Sequence, residues 1–68
     1  MKIEINGKGI EAEDSSTVSD ILKVRNIREE VVTVELNGGI VERAGYPESR
    51  LKDGDKLELV YYMGGGLI

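Results

Sequence analysis

Apolar and polar residues alternate through the first stretch of the chain, KIEIN. Ile3 and Ile5 fall on one side, Lys2 and Glu4 on the other. Strict alternation marks a strand with one buried face. Asn6-Gly7 follows, the best short signal for a two-residue hairpin turn. GIEAE then alternates again, with Ile10 and Ala12 inward. The two runs predict a β-hairpin. In SSTVSDILKV the period changes. Val18, Ile21 and Leu22 stand at i, i+3 and i+4, one face of a helix. Thr17 suits the N-cap, and Asp20 three residues on gives a weak capping box. These signals predict a helix over about 18–26, and RNIREE then breaks the pattern.

VVTVELN is the strongest strand signal. Val32, Val34 and Leu36 point one way, Thr33 and Glu35 the other. Asn37-Gly38-Gly39 turns the chain into a short strand, IVE. RAGYPESRL is irregular, and Tyr46-Pro47 suits the start of a single helical turn, since proline tolerates the first helical position. KDGD is a tight turn in which Asp53 and Asp55 read as solvated turn formers around Gly54. The last strand is KLELVYYM. Leu57, Leu59 and Tyr61 share one face; Glu58, Val60 and Tyr62 share the other. The shared inward phase predicts burial of Ile3, Ile5, Ile21, Leu22, Val34, Leu36, Leu57 and Leu59. The order β-β-α-β-β-turn-β packs most simply as one helix across one side of a single sheet. This is an α+β fold of the β-grasp architecture with a mixed sheet of four or five strands. In that architecture the first and last strands usually run parallel at the sheet centre.

The 68 residues make one domain with a marginal core. Neither Cys nor His occurs. That removes disulfides, thiolate nucleophiles, the usual metal ligand and the usual general base. The formal charge is −4, from 13 acidic and 9 basic residues. The basic residues are scattered and outnumbered, so nucleic acid is not an expected partner. No run approaches the roughly 20 apolar residues of a membrane span, and the N-terminus alternates instead of forming a signal-peptide block. A reducing, cytoplasmic setting fits this composition. A free-standing enzyme would need a nucleophile and a base in a pocket, and the chain offers only scattered carboxylates.

The chain closes on MGGGLI. Residues 1–63 read as the folded domain and 64–68 as a flexible glycine-rich tail. Glycine costs more backbone entropy to order than any other residue and lets a backbone approach a ligand closely. A β-grasp domain of this length that closes with KDGDKLELVYYMGGG resembles the ThiS-like sulfur carriers of thiamin biosynthesis, within the ubiquitin-like β-grasp superfamily. The ING hairpin, the TVSDIL helix, the VELNG strand, the DGD turn and the terminal glycines carry the resemblance, in their order and spacing as far as Gly66. The resemblance implies that the carboxylate of the last glycine is the working group. A ThiF-like partner enzyme adenylates it with ATP. Sulfur from a persulfide donor, such as a cysteine desulfurase, replaces AMP and leaves a thiocarboxylate. A ThiG-like thiazole synthase then takes the sulfur. Carried onto this chain, Gly66 is the carrier terminus, Gly65 its partner and Gly64 a more permissive position. No cofactor is implied as permanently bound. Five extended residues from Tyr62 to Gly66 span at most about 16–18 Å, enough to reach a buried site from a sheet edge.

The carriers end at the glycine, whereas this chain continues with Leu67 and Ile68. With those residues attached, Gly66 carries an amide and has no carboxylate to adenylate. Three readings compete: a C-terminal peptidase trims the chain, Leu67-Ile68 is an engineered addition, or the tail is never activated and the domain is a ubiquitin-like interaction module. The small subunit of molybdopterin synthase uses the same fold and glycine end, although those chains tend to be longer and richer in aromatics. Val60 and Tyr62, with Glu58, are the candidate docking residues. Glu4, Glu11 and Glu35 are expected on the same face. An apolar spot in an acidic surround suits a partner with Arg or Lys at its rim.

Overall fold

The computed structural model describes residues 1–61. Strands β1 (Lys2–Ile5) and β2 (Lys8–Glu11) form the expected hairpin. Asn6 and Gly7 take φ of +50° and +84°, the left-handed pair that a type I′ turn requires. Helix α1 (Val18–Val24) is capped at its start as its sequence anticipates. The Asp20 N–H donates to Thr17 Oγ1 at 3.1 Å, and the Thr17 N–H donates to Asp20 Oδ2 at 3.0 Å. The helix stops two residues short of the expected end because the chain closes it. Asn26 turns left-handed, its N–H donates to Lys23 O, and the Ile27 N–H donates to Leu22 O, the two bonds of a Schellman motif. Seven residues are too few for a helix to persist alone, so α1 depends on what it packs against.

A 3₁₀ segment (Glu29–Val31) leads into β3 (Val32–Leu36), and Asn37-Gly38 turns the chain into β4 (Gly39–Val41). A second 3₁₀ segment (Arg43–Glu48) precedes β5 (Lys56–Tyr61). Among the described residues the five strands make one sheet in the order β2-β1-β5-β3-β4. β1 and β5 run parallel and β5 is central, as the β-grasp expectation has it. Ile3, Ile5, Val32, Val34, Leu57 and Leu59 of the sheet meet Val18, Ile21 and Leu22 of the helix in one core.

Several details depart from expectation. Leu36 is only half-buried, because its partner across β4 is Gly39, which has no side chain to cover it. The second 3₁₀ segment begins at Arg43, ahead of Tyr46-Pro47. That places Tyr46 in the core, where its hydroxyl donates to Val32 O at 3.2 Å. Leu51 is buried as well. Tyr61 shares the face of Leu57 and Leu59, opposite the buried Val32, yet it is 42% exposed. It pairs with Val32 on one side, while on the other β1 has already stopped at Ile5, opposite Leu57.

The DGD turn departs most. Asp55 is buried, not solvated. Its carboxylate accepts from the Lys52 N–H at 2.7 Å and from Asn37 Nδ2 at 3.0 Å. Asp53 accepts from the Lys2 N–H at 2.7 Å, and the Gly54 N–H donates to Lys2 O at 2.7 Å. The turn therefore grips the start of β1 and the β3–β4 turn together. Asn37 continues the chain of contacts, since its Oδ1 accepts from the Lys56 N–H at 2.9 Å. Farther along β5, Asn6 Oδ1 accepts from the Leu59 N–H at 2.7 Å, and Asn6 Nδ2 donates to Leu59 O at 3.3 Å. Two turn asparagines thus hold the central strand at its first residue, Lys56, and at Leu59.

Two outcomes are expected. Leu59→Ala removes a core side chain that is 4% exposed and should cost about 2–5 kcal/mol. A urea midpoint equal to that of the parent protein would contradict its burial. Asp55 is expected to make stability acid-sensitive. Burial is the largest influence on its carboxyl and pushes the pKa up. The hydrogen bonds from Asn37 and the Lys52 N–H, with the Lys52 charge, outweigh it and leave the pKa below its ordinary 3.8. A depressed folded pKa stabilises above the unfolded value and loses that contribution as pH falls through the folded pKa. Asp55→Asn should be less stable than the parent near pH 7, and the gap should narrow as pH drops below about 4. Urea titrations at several pH values check this; a gap that widens in acid contradicts it.

Candidate functional site

The sheet has one face on the helix and one face open. Register assigns residues to the open face, because directly opposed residues of neighbouring strands project to the same side. Val60 stands opposite Thr33, Glu58 opposite Glu35, and Glu35 opposite Ile40. On the other half, Glu4 stands beside Lys56 and Gly9, and Lys2 beside Glu11. The face that carries Val60 therefore also carries Glu4, Glu11, Glu35 and Glu58, as the alternation anticipates. Val60 is 48% exposed, and Glu58 is exposed beside the half-buried Glu35. Two carboxylates facing each other across a strand pair repel, and a cation brought by another molecule would relieve them. Among the described residues no salt bridge involves either one.

Of the expected docking residues, Val60 and Glu58 are thus brought together on the open face. Tyr62 lies outside the described residues, as do Gly64, Gly65, Gly66 and the expected division of the chain at residue 63. The structure adds Ile40, which sequence reading missed. It is 70% exposed in β4, in line with Glu35 and Glu58. A three-residue strand gives too few alternating positions to assign a face, so the signal was present only in its pairing.

The side chains gather little chemistry of their own. Among the described residues, no group of three or more Asp, Glu, Cys or His side chains could hold a metal ion. An apolar groove of about 260 Å³ runs between β2 and α1, lined by Ile10, Ala12, Ile21 and Val24 with Glu11 and Arg25 at its edges. It lies on the β2 side of the sheet, two strands from β5. What the fold offers at its centre is a strand, β5, held at Lys56 and at Leu59 by turn asparagines.

The sequence profile of the ThiS family matches residues 2–66. The sulfur carrier protein ThiS of Bacillus subtilis is 34% identical over 65 residues, covering 94% of this chain and 98% of that one. A thiazole synthase of Paramagnetospirillum magneticum is 39% identical over 66 residues; the match covers 97% of this chain but only 20% of the synthase. Among solved structures, a crystal structure of the thiamine biosynthesis protein ThiS of Geobacter metallireducens superposes with a TM-score of 0.81 at 39% identity, covering 97% of this chain and all of that one. A solution structure of a thiamine biosynthesis protein from the same organism gives 0.79 at 38% identity. Profile, near full-length relatives and a matching sheet agree: the chain belongs to the ThiS family, with the ubiquitin-like β-grasp fold.

Proposed function

We propose that this chain is a sulfur carrier for thiazole formation in thiamin biosynthesis, and a substrate of its partner enzymes instead of an enzyme itself. One observation carries the reading: the family match runs through the glycine stretch and ends at Gly66. At neutral pH a carboxylate is a poor electrophile, so sulfur cannot displace its oxygen directly. Adenylation by a ThiF-like enzyme joins the Gly66 carboxylate to the α-phosphorus of ATP and releases pyrophosphate. A sulfur nucleophile then attacks the acyl carbon, AMP leaves, and a thiocarboxylate remains after any donor S–S bond is cleaved by a thiol. ATP belongs to the partner's site. A thiazole synthase is the acceptor; that relatives bearing this name contain a segment like this chain supports the pairing.

Removal of Leu67-Ile68 by a peptidase precedes activation in this reading, because Gly66 must present a free carboxylate. The open face docks the adenylating enzyme through Val60 and the acidic residues around Glu58, and Tyr62, two residues on in the sequence, is taken as a further contact. Glycines 64–66 pass into a channel that side chains would block.

The chemistry is tested by mass. A chain ending at Gly66, incubated with a ThiF-like enzyme, ATP and sulfide, should gain the difference between one sulfur and one oxygen atom. The chain ending at Ile68 should stay unchanged unless a peptidase is added. Direct conversion of the longer chain would remove the need for trimming, and conversion of neither would leave the interaction-module reading in its place.

Docking has its own test. Val60→Ala and Tyr62→Ala should each weaken the complex with the adenylating enzyme by more than about 1 kcal/mol. Added salt should weaken it further, since rim charges are screened. The amide spectrum of the Val60 variant should keep its dispersion, because Val60 is half exposed. Binding indifferent to both substitutions and to salt would reduce Val60 and Tyr62 to residues that merely suit a strand.

A further inference from the structure

Gly39 is a glycine that the turn does not need. The turn before it takes its left-handed backbone at Asn37 and Gly38, with φ of +52° and +89°. Gly39 is not among the positive-φ residues, and a Cβ built on it would meet only Leu36 O at 3.8 Å, an ordinary contact. A glycine in a strand weakens it and often marks the close approach of another backbone. Ile40 follows, in a strand at the edge of the sheet.

The direction of the Ile40 main chain follows from the pairing. The Asn37 N–H donates to Lys56 O, so Asn37, Glu35 and Thr33 turn their main-chain groups toward β5. Leu36 and Val34 turn theirs toward Gly39 and Val41 of β4. Ile40 lies between those two, so its N–H and C=O point out of the sheet. Among the described residues neither has a partner. The Ile40 side chain is 70% exposed on the open face. Glu42 is two residues on, in extended backbone at φ −70° and ψ 147°, and two-residue spacing puts it on the same side. No salt bridge involves Glu42, Glu35 or Glu58 among the described residues. An edge protected against stray pairing carries charge at its exposed position. Here that position carries isoleucine.

We propose that the outer edge of β4 is a strand-addition site for an extended segment of the adenylating partner. The segment sets an apolar side chain opposite Ile40 and a Lys or Arg two residues along, opposite Glu42. Main-chain bonds to Ile40 give the affinity, and the alternating side chains give the selectivity. Gly38 and Gly39 let the incoming backbone come close. β4 stands two strands from β5, about 10 Å at the spacing of a sheet, so one partner covers this edge and Val60 together. A second copy of the chain is a poor occupant. Paired antiparallel about Ile40, it would set Gly38 opposite Glu42 and bring no cation, at a net charge of −4 on each copy.

The proposal rests on the sulfur-carrier reading and is tested so that the two fail separately. The full chain, labelled with ¹⁵N, is mixed with a ThiF-like adenylating enzyme, and amide exchange is followed with and without it. Ile40 should exchange fast in the free chain and at least about tenfold slower in the complex. Ile40→Ser and Glu42→Lys, both at exposed positions, should keep the folded spectrum and weaken binding about tenfold or more. No complex at all overturns the functional reading and the proposal with it. A complex in which the Ile40 amide stays fast overturns the strand addition alone. A slowed amide with both variants binding like the parent chain overturns the apolar and basic character assigned to the segment.

Discussion

A strand at the centre of a sheet cannot leave its buried N–H and C=O groups unpaired without a cost of about 1–3 kcal/mol each. β5 faces that constraint at Lys56 and at Leu59. β1 runs beside it only as far as Ile5, opposite Leu57. The next groups on that side belong to Leu59, and the Asn6 carboxamide meets both of them, donor to acceptor and acceptor to donor. The side chain of a turn residue so takes the place of one more peptide of β1. At the start of β5, Asn37 does the same for Lys56, and the buried Asp55 holds Asn37. Both asparagines sit in left-handed backbone, which asparagine tolerates better than most residues. One residue type therefore makes each hairpin turn and secures the central strand.

That arrangement explains how a domain with little core can serve as a carrier. The chain has no Cys or His, and in the proposed role it needs neither, because the sulfur is bound to main-chain carbon and the catalysts belong to other proteins. Its own task is mechanical. It must present one end of itself in a set direction while another protein recognises its surface. β5 is the central strand and also the segment that leads toward Gly66. Its covered face, through Leu57 and Leu59, is locked into the core. Its open face carries Glu58 and Val60. In the proposed role the open face of β5 meets the partner, while its covered face anchors the strand in the core.

Much of the architecture was legible because it rests on local rules. Asn6-Gly7 and Asn37-Gly38 mark their hairpins, Thr17 and Asp20 mark the helix start, and the inward phases of β1, β3 and β5 agree. The parallel pairing of β1 with β5 came from the architecture as a whole. Other features depend on contacts between residues far apart in the chain. Tyr46 reads as part of an irregular stretch, and only its bond to Val32 O reveals it as core. Asp55 looks like any turn aspartate until Asn37 arrives from another hairpin. Leu36 keeps the inward phase but lacks a neighbour over Gly39. At the site, Val60 and Glu58 were legible by alternation. Ile40 was not, because its exposure follows from β4 being an edge.

The central claim is that the Asn6 carboxamide substitutes for a missing stretch of β1 and so fixes β5 beyond the point where β1 ends. Native-state amide exchange at Leu59, compared between the parent chain and Asn6→Gly, tests it most directly, since glycine keeps the left-handed turn while the substitution removes the side chain that carries the carboxamide. The account predicts a selective loss of protection at Leu59, whose N–H has Asn6 Oδ1 as its acceptor. Protection of Glu58 and Val60, whose main-chain groups face β3, should fall only by as much as global stability falls. Equal protection of Leu59 in both proteins would contradict the claim.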